Sequence, residues 1–223
     1  MSFLSSKIEH TLLSPVMTQS DLDRHLSEAS QFQFFGICVP PFWVKRARRE
    51  IGNKPLALIT VAGFPLGYSM TETKLEEIKR AIDDGADEID MVWNISAFKS
   101  NHPWTKIEIA KCARACHENQ KILKVIVEIA YLSNDEIIEA CTICADAGAD
   151  FVKTSTGFAG SGATVEQVTL MKKVLPASVG IKASGGIKTF DKAVKLIEAG
   201  ASRIGTSNGL NIISSANQSK SEL

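Results

Sequence analysis

Excess charge of either sign is missing from this chain. Its 223 residues carry 25 basic and 25 acidic side chains, for a formal net charge of zero. Without a basic stripe it does not suit a nucleic-acid backbone, and no nucleic-acid partner is expected. Also missing is any run of 18 apolar residues, so no membrane-spanning helix is expected. Residues 1–13 lack a basic start followed by a long apolar core, and no secretory signal is expected. Histidine is sparse: His10, His25, His102 and His117 fall at no metal-ligand spacing. Cysteine numbers five, an odd count in a long chain, which argues against a disulfide framework and for a reducing, cytoplasmic setting. Cys141-Thr-Ile-Cys144 has CxxC spacing but sits in a helical pattern with no second pair, so it reads as small buried residues.

What is present is 44% hydrophobic, enough for one α/β domain of barrel size or two small ones. Apolar runs bounded by turn residues predict strands at 8–13, 34–39, 56–62, 87–93, 121–128, 151–154, 179–183 and 202–205. Helices alternate with them. Their expected starts are Ser20, Pro41, Thr73 with Glu76, a segment near Trp104, Ser133 with Glu136, Thr164 with Gln167, and Thr189. The basic run at 45–49 reads as a solvated helix face. A short last helix is expected at 208–214, with a polar, frayed tail from about 215. One junction recurs, as Gly85-Ala-Asp87, Gly148-Ala-Asp150 and Gly200-Ala-Ser202: glycine ends a helix and the next residues enter the sheet. Eight such units with no composition shift predict a single-domain (β/α)8 TIM barrel, residues 1–223.

The chemistry lies on alternating strand faces. Phe151-Val-Lys-Thr154 is a short apolar strand with a lysine inside it, and a lysine is rarely buried without a partner or a purpose. Period-two alternation groups Glu88, Asp90 and Asn94; Lys124 and Glu128; Lys153 and Ser155; and Gly180, Lys182 and Ser184. The opposite faces are apolar and belong under the helices. This puts Asp90, Lys124, Lys153 and Lys182 inside the barrel. Two ammonium groups ~6 Å apart repel by roughly 3 kcal/mol at an effective dielectric of 20. That is about two pKa units, enough to leave one amine neutral and nucleophilic beside a cationic neighbour. Asp90 and Glu128 are expected to offset part of the repulsion. The bland alternative is an ion-pair network that only fixes packing.

Two glycine-rich loops follow strands seven and eight: Ser184-Gly185-Gly186 and Gly205-Thr206-Ser207. Barrels commonly hold a phosphate with these two loops. Gly157, Gly185, Gly186, Gly205 and Ser207 are the expected phosphate-binding residues.

Asp87-Glu-Ile-Asp-Met-Val92, Leu123-Lys-Val-Ile126, Phe151-Val-Lys-Thr-Ser-Thr-Gly-Phe158, Gly180-Ile-Lys182 and Ser184-Gly-Gly-Ile187 resemble segments of the deoxyribose-phosphate aldolase family. So do His10-Thr-Leu-Leu13 and Gly63-Phe-Pro-Leu-Gly67, and the resemblance runs in order from about residue 8 to 210. It implies a class I aldolase with no metal and no cofactor, which reversibly cleaves a phosphorylated sugar, 2-deoxy-D-ribose 5-phosphate, into acetaldehyde and D-glyceraldehyde 3-phosphate in deoxyribose phosphate catabolism. It further implies that Lys153 forms the Schiff base, that Lys182 perturbs it, that Asp90 moves protons, and that Lys124 supports the network. Departures from the family pattern are Glu9 in place of aspartate, Trp93 and Ser96 around Asn94, Phe158 in place of a lysine, and a tail without tyrosine. Glu9 is expected to alter hydroxyl contacts at the floor or mouth, and Trp93 to repack against the helices. Other readings are a Schiff-base aldolase of another phosphorylated sugar, a metal-dependent aldolase, and a non-catalytic phosphate-ligand binder. A homodimer or higher homo-oligomer is the expected assembly.

Overall fold

The computed structural model of the protein describes residues 3–218. Eight parallel strands close into a barrel in chain order, each hydrogen-bonded to its sequence neighbour and the last to the first. They are β1 (Ile8–Thr11), β2 (Gly36–Cys38), β3 (Ala57–Ala62), β4 (Glu88–Val92), β5 (Ile122–Ile126), β6 (Phe151–Lys153), β7 (Gly180–Ser184) and β8 (Arg203–Thr206). The helices are α1 (Gln19–Gln31), α2 (Val44–Ile51), α3 (Thr71–Asp83), α4 (Ile95–Lys99), α5 (Trp104–His117), α6 (Asn134–Asp146), α7 (Val165–Val174), α8 (Phe190–Glu198) and α9 (Gly209–Gln218). The expected single-domain (β/α)8 architecture is the observed one. Among the described residues no helix is long and apolar enough to cross a membrane.

Alternation along the strands sorts the apolar residues into two bodies. Outward side chains such as Ile37, Leu58, Ile89, Leu123, Val152, Ile181 and Ile204 join the helices in one large core. The inward residues Cys38, Ile59 and Val61 form a separate small cluster with Leu13, Ala57 and Phe64. Trp93 faces the helices as expected: it lies 4.5 Å from the Phe98 ring, and its indole N–H donates to the Val127 carbonyl at 3.0 Å.

Several boundaries differ from the expected ones. Thr18, not Ser20, caps α1, through a reciprocal box with Asp21. Pro41 opens a 3₁₀ turn (Pro41–Trp43) before α2. Thr73 lies inside α3, which starts at Thr71 without a side-chain cap. Thr73 and Glu76 have capping spacing, but the chain had already turned helical two residues earlier. The Ser133–Glu136 box and the Thr164 and Thr189 caps stand as expected. The basic run is not wholly solvated: Arg48 donates to the Gly85 carbonyl at 2.8 Å and pairs with Asp87. It thus clips α2 to the junction before β4. Helix α9 reaches Gln218, past the point where a frayed tail was expected, and residues 219–223 lie outside the described residues.

Candidate active site

Strands β6 and β7 pair with Lys153 opposite Lys182, so both side chains emerge on one face of the sheet. Both side-chain nitrogens donate to the same oxygen, Asp90 Oδ2, at 2.8 Å from Lys153 and 2.5 Å from Lys182. Lys124, opposite Asp90 on β5, donates to Asp90 Oδ1 at 2.9 Å. It also lies 2.5 Å from Glu88 and 3.5 Å from Glu9. Lys182 donates a second time, to Glu9 Oε2. Lys124 and Lys182 are fully buried, while Lys153 keeps 3% of its surface.

That residual surface faces a cavity of about 530 Å³ at the C-terminal mouth of the barrel, the end where loops follow strands. Lys153 lines it, together with all five expected phosphate-loop residues: Gly157, Gly185, Gly186, Gly205 and Ser207. The loops are packed backbone to backbone. A side chain on Gly162 would put Cβ 2.1 Å from the Gly185 carbonyl oxygen. Thr154 Oγ1 accepts from the Ser184 amide, and Ser184 Oγ donates to the Ser155 carbonyl, which ties the β6 and β7 loops together. Phe158 stands 57% exposed at the rim and meets Phe64 edge-on at 5.3 Å.

Residues 10–215 match the profile described as DeoC/LacD family aldolase. The chain belongs to that family. Its relatives include a protein of Thermococcus gammatolerans named deoxyribose-phosphate aldolase, 45% identical over 96% of each chain. One of the same name from Brevibacillus brevis is 46% identical over 96% of each chain. Among solved structures, the deoxyribose phosphate aldolase of Aeropyrum pernix, described as a unique tetramer, superposes with a TM-score of 0.90. It is 31% identical, and the match covers 96% of this chain and 91% of that one.

In this DeoC/LacD family member the three lysines differ in their electrostatics. For Lys153, burial dominates and lowers its pKa; Asp90 works against this, and the Lys182 charge adds to it. Burial also disfavours charge on Lys182, but Asp90 and Glu9 outweigh it and hold that amine above the ordinary lysine value. Lys124 is raised as well, because Asp90, Glu9 and Glu88 together overcome its burial. Burial opposes ionisation of Asp90, yet Lys124, Lys153 and Lys182 hold it well below the usual carboxylate range. The amine whose charge is disfavoured is therefore the one at the cavity wall, and the two whose charge is favoured are fully buried beside it.

Three expectations about this aldolase's interior need correction. Asn94 is not inside the barrel; it caps α4, accepting from the Ala97 amide at 3.1 Å. Glu128 does not offset the lysines. Its backbone turns left-handed at the end of β5, and its carboxylate accepts from Thr156 N and Oγ1. Glu9 is fully buried and pairs with Lys182 rather than with hydroxyl groups. Ile8-Glu9-His10-Thr11 alternates, so an inward Glu9 was legible, but nothing local names a partner 173 positions away. Lys188, two residues after the glycine pair, also lines the cavity wall. Histidine spacing likewise gave no warning of one cluster: His10 and His25 stack at 4.1 Å, and with Glu28 their possible ligand atoms lie within 4.8 Å of one another. One ring nitrogen of each already pairs with a protein group: His10 Nε2 with Glu28 at 3.0 Å, and His25 Nε2 with the His10 carbonyl at 3.1 Å.

Proposed function

We infer that this chain reversibly cleaves 2-deoxy-D-ribose 5-phosphate into acetaldehyde and D-glyceraldehyde 3-phosphate through a Schiff base on Lys153. The observation that carries the reading is the arrangement around Asp90: Lys153 at the cavity wall, where burial disfavours its charge, with Lys124 and Lys182 fully buried on the same carboxylate.

Neutral Lys153 attacks the aldehyde carbon of the open-chain sugar. Loss of water leaves a protonated Schiff base, which draws electrons from the sugar chain. Removal of the C3 hydroxyl proton then breaks the C2–C3 bond and releases glyceraldehyde 3-phosphate. The enamine left behind takes a proton at C2 and is hydrolysed to acetaldehyde. The covalent route replaces one difficult step with easier ones. Asp90, through a water, carries protons to and from the carbinolamine and C2. Lys182 supplies the cationic neighbour, and Lys124 keeps Asp90 ionised. The phosphate is assigned to the mouth, where Gly157, Gly185, Gly186, Gly205 and Ser207 line the cavity. Lys188 on the same wall adds positive charge. Gly205 has a second use: a Cβ there would come 2.9 Å from Lys182 Cε.

Borohydride with acetaldehyde tests this reading. The expected result is a reduced adduct of one acetaldehyde on the tryptic peptide carrying Lys153; a label elsewhere, or none, overturns it. Retro-aldol products other than acetaldehyde would move the assignment to a different donor. Activity unchanged by a chelator is expected, since no proposed step uses a metal. The five cysteines are buried and unpaired, which supports a reducing, cytoplasmic setting. The tetrameric Aeropyrum relative supports a homo-oligomer.

A further inference from the structure

The lysine network does not stop at Lys124 but continues to the barrel floor. Arg203 opens β8 opposite Lys182 and shares its inward face with Gly205. Its guanidinium carbon lies 3.4 Å from the centroid of the Phe35 ring and 5.4 Å from that of Phe151. Gly180 makes room for this clamp, because a Cβ there would come 2.4 Å from the Phe151 ring. One guanidinium nitrogen sits 3.9 Å from Glu88 Oε1, while the other Glu88 oxygen is the one 2.5 Å from Lys124. Glu88 is thus shared between a lysine above and an arginine below.

Charge counting gives this floor a purpose. The buried groups Glu9, Glu88 and Asp90 face Lys124, Lys153 and Lys182, three anions against three amines. Left to themselves, those six groups balance only when every lysine is an ammonium, Lys153 included. Arg203 adds a seventh charge that stays cationic at any working pH and is held by two aromatic faces. The remaining inward residues bring no offsetting charge: β2 contributes Cys38, and β3 contributes Ile59 and Val61. With Arg203 counted, the interior is neutral when Lys153 is the free amine.

We propose that Arg203, clamped by Phe35 and Phe151, is a positioning residue that claims part of the Glu88 charge and so leaves Lys153 free to be the nucleophile. It touches no substrate. It acts through Glu88, Lys124 and Asp90, and the proposal rests on the reading of Lys153 as the Schiff-base residue.

The test is the pH dependence of kcat/KM, together with borohydride trapping of acetaldehyde, in four variants. Arg203→Gln removes a cation, so the acid limb should move to higher pH by about one unit, the effect of a charge ~10 Å away at an effective dielectric of 20. Glu88→Gln removes an anion and should move it to lower pH. The double variant Arg203→Gln/Glu88→Gln should return it towards wild type. Arg203→Lys keeps the charge and should leave the limb in place, which also serves if Arg203→Gln does not fold. Shifts of the same sign in both single variants, or no shift with Lys153 still trapped, overturn the proposal alone. Wild-type protein that traps nothing on Lys153 overturns the Schiff-base reading and this inference with it.

Discussion

The two sides of the barrel interior obey opposite rules. On β2 and β3 the inward residues are Cys38, Ile59 and Val61, with no ion pair among them. On β4 to β7 they include Glu88, Asp90, Lys124, Lys153 and Lys182, all of them buried. The apolar side stabilises by removing surface from water. The charged side costs desolvation that its ion pairs only partly return. One wall is therefore dry and inert, and the other is polar and held rigid by Asp90, which takes hydrogen bonds from all three lysines. The charge on Lys153 is disfavoured by burial first and by the Lys182 cation next, against the pull of Asp90.

Breaking the charged side should have the largest effect. Lys153→Leu should lower kcat by roughly 10⁴-fold or more, as loss of a covalent nucleophile does, and abolish borohydride trapping. Stability should move the other way. The folded-state pKa of Lys153 lies below the unfolded value, so below about pH 10 the unfolded chain binds more protons and the lysine disfavours folding. Removing it should not lower the melting temperature at pH 7, and a clear drop would contradict the picture of a strained neutral amine.

Lys182→Leu comes next, with kcat at pH 7 expected to fall by roughly 10²–10⁴-fold. Loss of the neighbouring cation raises the Lys153 pKa, so the remaining activity should recover towards higher pH. A flat pH profile would remove the role given to Lys182.

The apolar side can be broken by giving it the other side's chemistry. Val61→Lys buries a fourth amine directly opposite Asp90, which already accepts from three lysines, and so without a carboxylate of its own; it should cost about 3–5 kcal/mol in urea unfolding. Little loss would mean that the two sides are less different than their residues suggest.

The smallest effect belongs to the mouth. Gly186 holds a φ of +66°, and a Cβ there would meet only the end of Lys192 at 3.8 Å. Gly186→Ala is therefore a test of backbone strain alone, worth about 1–2 kcal/mol. It should raise KM several-fold with little change in kcat.

How much of this could be read beforehand divides along the same line. Lys124, Lys153, Lys182 and Asp90 were legible because each is a charged residue interrupting an otherwise apolar strand, and period two fixes its face. The barrel was legible from eight alternating units and their glycine junctions, where Gly85, Gly148 and Gly200 all take positive φ. Glu9 and Arg203 were not assigned, because their partners are set by closure of the barrel. Helix α4 was missed because five residues carry little periodic signal. Glu128 was misplaced because period-two counting fails once the backbone leaves the extended region at φ 52°.

The seam where β1 meets β8 has a consequence for the newly made chain. Glu9 arrives on the first strand and Arg203 on the last, and the two flank Lys182 only when the cylinder is sealed. A ribosome-bound or truncated chain lacking β8 holds the amine at position 153 without its finished surroundings. On the proposed reading, borohydride trapping of acetaldehyde on Lys153 should therefore appear only once the barrel is closed.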